Sequence, residues 1–351
     1  MPVDLTADLP DLLMAITDIE SVSGNEGPLA DAVATALSAH PHLVVERDGD
    51  AVVARTDLGR GTRVVVAGHL DTVPVAANLP SWREGDLIYG RGTCDMKGGV
   101  AVMLAAAARL SAPRHDVTWI FYDNEEVEAV RNGLGRLART RPDLLGGDFA
   151  VLMEPTGARI EGGCQGTLRF EVTTTGTAAH SARSWLGHNA IHDAGALLRT
   201  LSDYTPRTVE VEGLEYREGL NAVGITGGIA GNVIPDRCAI TVNFRFAPDR
   251  SIEDAKAHCV EVFAGHELVF TDESPAARPG LDRPAAAEFL AAVGGEPRAK
   301  YGWTDVARFS ALGVPAVNFG PADPGKAHTD DEFCPVADLH TCHEALLRWL
   351  T

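Results

Sequence analysis

The chain reads as an α/β protein with a central mixed sheet flanked by helices and a smaller β-α-β-β-α-β layer inserted into it. Three observations lead there. Apolar runs of strand length, RVVVA at 63–67, VTWIFY at 117–122 and FAVLM at 149–153, are separated by helical stretches, the pattern of strands buried on both faces of a largely parallel sheet. From about residue 165 the runs alternate instead, as in TLRFEVTTT and CAITVNFRF, which marks strands with one solvated face. After Pro279 the first pattern returns.

Taken in order, Asp11 to Ile19 and Gly27 to Ala39 have helical spacing, and VVERDGDAVVART is a hairpin turning at Asp48-Gly49-Asp50. The strand at 63–67 follows, then the Ala-rich helix Gly99 to Leu110, then the strands at 117–122 and 149–153. In the inserted layer, strand Thr167 to Thr175 precedes helix Asn189 to Leu201. Strands Ala222 to Ile229 and Cys238 to Phe246, helix Ser251 to Phe263 and strand His266 to Thr271 complete a ferredoxin-like order. A helix from Ala285 to Val293, a strand from Ala316 to Phe319 and a helix from Val336 to Leu350 finish the chain. The expected division is 1–164 and 279–351 for the main domain and 165–278 for the insert.

Length and composition bound the function. The 351 residues suffice for a large core and two domains. Thirty basic residues against 49 acidic ones give −19, which argues against a nucleic-acid partner. No apolar run reaches membrane-spanning length, and the acidic start MPVDLTADLPDLLMAI lacks a basic n-region, so the expected location is cytoplasmic with no membrane partner. The six cysteines are scattered without a C-x-x-C pair, which speaks against structural zinc.

The chemistry-bearing residues cluster at strand ends. The strand at 63–67 runs into GHLDT, where His69 and Asp71 share a face of extended chain. GRGTCDMKGG puts Asp95 among glycines that imply a close approach, and it is neither a dinucleotide fingerprint nor a phosphate loop. VTWIFYDNEEVEA ends in Glu125 and Glu126, and FAVLMEPTG ends in Glu154. GPADPGKAHTDDE carries His328 in a loop. Each fragment alone reads as a strand end, a turn or a solvated loop. Together they offer two imidazoles and several carboxylates, a donor set suited to catalytic zinc or a related divalent ion.

GHLDTVP, GRGTCDMKGG, DNEEVEA, MEPTG, GTAAHS, NVIPD and AHTDDE occur in this order over about residues 68–332. As a set they resemble the two-zinc deacylases and peptidases, a family that includes aminoacylases, acetylornithine deacetylases, glutamate-releasing carboxypeptidases and succinyl-diaminopimelate desuccinylases. The resemblance implies a zinc-peptidase-like catalytic domain and an inserted lid that dimerises. It implies two Zn²⁺, with Co²⁺ or Mn²⁺ as substitutes. His69 and Glu154 would hold one ion, Glu126 and His328 the other, and Asp95 would bridge them. Asp71 would orient His69, and Glu125 would act as general base. His180 would stabilise the oxyanion, reaching the site of the second subunit in a homodimer. Hinges are expected at Gly162-Gly163 and from Ser274 to Gly280.

Within the family, TDVARF, GGCQGTLRFEV and AHSARSW are most similar to the actinobacterial type of desuccinylase. That likeness implies hydrolysis of N-succinyl-LL-diaminopimelate in lysine biosynthesis, with Asn232, Arg245, Thr304, Arg308 and Arg183 at the substrate. The chain departs from the pattern at Cys164-Gln165, where many desuccinylases carry two arginines, and Arg169 or Arg183 would have to substitute. Two alternatives stand beside this reading. One is another deacylase or peptidase, such as an acetylornithine deacetylase or a dipeptidase. The other is a non-catalytic metal-binding homologue, which would have no use for a free Glu125.

Overall fold

The strand on which the main sheet is built, Arg63–His69, carries three consecutive valines followed by Ala67 and Gly68 and is buried along almost its whole length. The computed structural model describes residues 3–351. Contacts divide them into two compact units: residues up to Gly163 with Pro279–Arg298 and Asp305–Thr351, and Cys164–Arg278 with Ala299–Thr304.

The first unit holds an eight-stranded mixed sheet. The strand Arg63–His69 lies between Asp116–Tyr122 and Phe149–Leu152, parallel to both. Ala316–Asn318 continues the parallel set beside Phe149–Leu152. The hairpin Val44–Asp48 and Ala51–Arg55 adds antiparallel strands beyond Asp116–Tyr122. All seven residues of Asp116–Tyr122 are buried, as expected of a strand covered on both faces. The helix Gly98–Arg109 is almost all Ala, Val, Met and Leu, so every side can be buried. It packs against Leu9–Thr17 and Val336–Leu350.

In the second unit, Gly166–Thr175, Gly219–Gly227, Arg237–Phe246 and Leu268–Ser274 form an antiparallel sheet in the spatial order second, third, first, fourth. Leu168, Phe170, Val172, Ile240, Val242 and Phe244 face the core with residues of the helices Ala190–Asp203 and Ile252–Val262. Thr167, Arg169, Asn243 and Arg245 stand on the opposite face, since cross-strand partners share a face. Asn189 caps the first helix through its side chain, and Ser251 with Asp254 forms a capping box on the second.

Several elements differ from the sequence expectation. The first helix is Leu9–Thr17, not Asp11 to Ile19, because Asp8 caps it and Pro10 sits in its first turn. Two strands of the second unit are displaced, to Gly219–Gly227 and Leu268–Ser274. The helix Gly133–Thr140, capped by Asn132, is not anticipated because its first turn contains two glycines. TDVARF is not simply a loop: Val306–Ala311 is a short helix. Residues Ala299–Thr304, assigned by sequence to the main domain, group with the second unit, where Tyr301 Oη donates to Glu215 O and Trp303 Nε1 to Pro275 O.

Asp116 ties together the edge of the sheet. Its buried carboxylate accepts from Leu58 N at 2.7 Å, Arg60 N at 2.8 Å and Thr56 Oγ1 at 3.1 Å. Burial opposes the charge, but these donors and Arg63 hold the carboxyl below its ordinary value. A depressed folded-state pKa stabilises above the unfolded value, and the gain is lost as pH falls through the folded one. Asp116→Ala should therefore cost about 1–3 kcal/mol at neutral pH. Urea melts of both proteins should show that difference shrinking below about pH 4.

Candidate metal centre

The parallel strands deliver their functional residues from their carboxyl ends, where open α/β sheets collect ligand sites. His69 ends its strand and Asp71 follows it. Asp123 to Glu126 follow Tyr122, and Glu154 comes two residues after Leu152. Two loops add Asp95 and His328. A ring nitrogen of His69 and a carboxylate oxygen each of Asp95 and Glu126 all lie within 4.8 Å of one another, a grouping that could hold a metal ion. His328 joins them, with Nε2 at 2.9 Å from Glu126 Oε1 and 3.3 Å from Asp95 Oδ2. Glu154 is largely buried, and its charge acts on His69.

His69 is 1% exposed. Its Nδ1 lies 3.0 Å from the Asp71 carbonyl, which can only accept, so Nδ1 carries the proton. The Asp71 carboxylate is farther, at 3.5 Å. The expected orienting role of Asp71 therefore falls first to its backbone. His69 Nε2 lies 3.2 Å from Asp95 Oδ1, within hydrogen-bonding distance. A nitrogen set this close to a carboxylate needs a positive species between them, a proton or a metal ion. The donor set of imidazole and carboxylate oxygens fits a divalent metal.

The Asp71 carboxylate has a second task. It accepts from Glu125 N at 2.9 Å, Glu126 N at 3.0 Å and Ser23 Oγ at 2.7 Å. The backbone of the Glu pair is thus pinned from below by a fully buried acid. Asn124, immediately before the pair, and His328 both take left-handed φ, 57° and 65°, a conformation that non-glycine residues adopt at a cost and that is common at functional sites.

Glycines bring the Asp95 loop close to protein atoms. A Cβ on Gly99 would stand 2.2 Å from Met153 O, and one on Gly92 2.6 Å from Thr72 Cγ2. The loop is pressed onto the strand that leads to Glu154 and onto the segment after Asp71. The Asp95–Met96 peptide is cis. Glu332, in the AHTDDE loop, accepts from Cys94 N at 3.0 Å and Asp95 N at 3.1 Å. Its other oxygen takes Arg91 Nη1 at 2.7 Å. Arg91 also donates to Pro74 O and Thr329 O, so one buried guanidinium joins three loops of the site. Both Arg91 and Glu332 lie inside quoted motifs, yet their pairing is not foreseen. Arginine's rigid fork among glycines is the only sequence signal for it.

The electrostatics follow from this crowding. Burial pushes the Glu125 carboxyl well above the usual range; His69 opposes this and the charges of Asp305, Glu154 and Glu126 add to it. Against the effect of burial, hydrogen bonds from His328 and His69 hold Asp95 far below its ordinary value. Asp95 and Glu126 in turn lift the His328 imidazole to about 10. The cluster is an excess of buried negative charge in want of positive charge.

The remaining candidates are dispersed. Arg308, in the first unit, pairs with Asp305, which also accepts from Asn132 Nδ2 at 2.8 Å. In the second unit, His180 is exposed on the Ala179–His180 strand paired with Val233–Ile234. Its Nδ1 accepts from Ala182 N, and the next residue, Ser181, donates to Asn232 O at 2.8 Å. Arg183 lies in the following exposed turn. Thr304 is buried, with its carbonyl 3.7 Å from Cys164 Sγ. Gln165 is also buried and donates to Arg217 O at 2.7 Å. The departure at Cys164-Gln165 is thus packed into the second unit. Arg169 and Arg245 are diagonal neighbours on one face of the sheet, because Arg169 pairs with Asn243 and Arg245 with Thr167.

The profile of Peptidase family M20/M25/M40 matches residues 65–351. A Mycobacterium tuberculosis protein provisionally named succinyl-diaminopimelate desuccinylase DapE is 53% identical over 351 residues, covering 99% of each chain. The succinyl-diaminopimelate desuccinylase of Corynebacterium glutamicum is 45% identical, covering 99% of this chain and 98% of its own. Among solved structures, a tripeptidase from Staphylococcus aureus superposes with a TM-score of 0.78 at 19% identity, covering 100% of this chain and 98% of its own, which shows a shared fold. The chain belongs to Peptidase family M20/M25/M40.

Proposed function

We propose that the chain is a metal-dependent amide hydrolase that cleaves N-succinyl-LL-diaminopimelate to succinate and LL-diaminopimelate. The observation that carries the hydrolase reading is Glu125, a carboxylate adjacent to the Glu126 ligand whose backbone is pinned by Asp71. The substrate is supported by the names of the two relatives at 53% and 45% identity. His69 and Glu154 would hold one zinc ion, Glu126 and His328 a second, and Asp95 both. When bound, such ions polarise a carbonyl and make water more acidic.

The residues divide the rest of the work. Glu125 takes a proton from the water that attacks the amide carbon and passes it to the nitrogen as the C–N bond breaks. The carbonyl carbon leaves as a carboxylate and the nitrogen as an amine. Its environment favours the proton-bearing form once the transfer is made. His180 would donate to the oxyanion of the tetrahedral intermediate. Arg245 is half-buried, burial and the charge of Arg169 destabilise its positive charge, and a substrate carboxylate would relieve both. Arg169 supplies the second guanidinium that the family pattern places at Cys164-Gln165. Asn232, Thr304, Arg183 and Arg308 are further substrate contacts implied by the resemblance.

The protein is proposed to act as a cytoplasmic homodimer through the second unit. Gly219–Gly227 is an edge strand, and Val223, Ile225 and Ile229 are 59%, 55% and 85% exposed. Such an edge invites pairing with another copy. No helix among the described residues is long and apolar enough to cross a membrane.

The reading is tested by amine release from N-succinyl-LL-diaminopimelate, N-acetylornithine and a dipeptide panel with zinc-loaded protein. Preference for the succinyl substrate is the expected result. Cleavage of another amide alone would overturn the substrate and keep the mechanism. Glu125→Ala should retain its metal while kcat falls by about 100-fold or more; normal turnover would remove Glu125 as the base. Ile225→Glu should give a monomer by light scattering and, if His180 serves the partner's site, an inactive one.

A further inference from the structure

We propose that Glu26, in the SVSGNEG segment before the second helix, is a positioning residue for the Glu125–Glu126 pair and acts with Asp71 as a two-carboxylate clasp. The inference rests on the roles given above to Glu125 and Glu126. Glu26 Oε1 accepts from Asn124 N at 3.1 Å and from Gly24 N at 2.9 Å. Asp71 takes the next two amides, Glu125 N and Glu126 N. Three consecutive N–H groups are therefore held by two buried acids that come from different parts of the chain.

Several observations separate this role from a purely local one. Glu26 occupies the N-cap position of the helix Gly27–Ser38, yet its side chain makes no capping hydrogen bond. It turns instead toward the acidic loop. Glu26 is 0% exposed, and its Oε2 is buried without a hydrogen-bond partner. A helix cap would need neither this burial nor an orphaned oxygen. The amide it holds belongs to Asn124, whose left-handed φ sets the direction in which the chain enters Glu125.

The segment is itself anchored to the site. Ser23 N donates to Thr72 O and Thr72 N to Ser21 O, and Ser21 Oγ donates to Leu70 O at 2.7 Å. Ser23 Oγ reaches the Asp71 carboxylate. Residues 21–26 thus run beside the chain that follows His69 and bring Glu26 to the backbone just before the Glu pair. Burial raises the Glu26 carboxyl, and the charge of Asp71 adds to the effect. An uncharged acceptor in its place should then serve nearly as well.

The test compares Glu26→Ala and Glu26→Gln in the metal-loaded protein, using whichever acyl amino acid the wild type cleaves. The alanine variant should keep its metal content and a KM within about twofold, while kcat falls roughly 10- to 100-fold, as expected for a misplaced reacting group. The glutamine variant retains an acceptor at Oε1, and its kcat should stay within about threefold of wild type. Amide hydrogen exchange reads the clasp without any substrate: Asn124, Glu125 and Glu126 should exchange about tenfold faster in Glu26→Ala and unchanged in Glu26→Gln. Wild-type kcat in the alanine variant, equal damage in both variants, or loss of kcat only together with metal would each overturn the proposal. So would unchanged exchange in the alanine variant. A wild type inactive on every substrate tried would count against the proposed function, and the exchange arm would still decide the clasp. If the alanine variant does not fold, Glu26→Asp withdraws the acceptor by one methylene and is read in the same way.

Discussion

Four carboxylates, Asp95, Glu125, Glu126 and Glu154, meet in a largely buried space, and everything around them serves to hold like charges together. Removing a carboxylate from water is costly unless donors replace the water. The imidazoles of His69 and His328 reach Asp95 and Glu126, and the main chain that carries the acids is held by two further carboxylates. Asp71 and Glu332 illustrate the arrangement from opposite sides: one fixes the amides of Glu125 and Glu126, the other those of Cys94 and Asp95. The acids that would bind metal are thereby positioned through their own main chain by acids that would not.

The same economy explains the buried ion pair beneath the site. Arg91 and Glu332 are 3% and 1% exposed. Such a pair is weak evidence for stability, but removing one member leaves a buried charge uncompensated at a cost of about 3–5 kcal/mol. Its value lies in register. Arg91 touches the loops that follow Asp71 and contain His328, while Glu332 holds the loop of Asp95. Gly99, pressed against Met153 O, sets the remaining distance, from the Asp95 loop to the Glu154 strand.

Much of this was legible in the order of residues. Continuous apolar runs ending in His69, Glu125 and Glu154 announced parallel strands with a site at their carboxyl ends, and alternation in CAITVNFRF announced the antiparallel sheet of the second unit. What escaped depends on long-range partners. The glycines around Asp95 were legible as a close approach, but not that Met153 and Thr72 would be the groups approached. Asp71 was read as a partner of His69 because two residues of extended chain share a face; its grip on amides more than fifty residues away leaves no local trace. Glu26 sits in a stretch of small polar residues that looks like any helix entry. Arg308 in TDVARF was read toward the substrate, and its pairing with Asp305 follows from a helical turn that the sequence did not announce.

The central claim is that this crowded set of acids and imidazoles is built around two divalent cations that share Asp95. Anomalous diffraction from crystals of the zinc-loaded protein tests it most directly. The account requires two peaks about 3.5–4 Å apart, one against His69 and Glu154, the other against Glu126 and His328, with Asp95 reaching both. A single ion held by His69, Asp95 and Glu126, with His328 still bonded to the carboxylates, would contradict it.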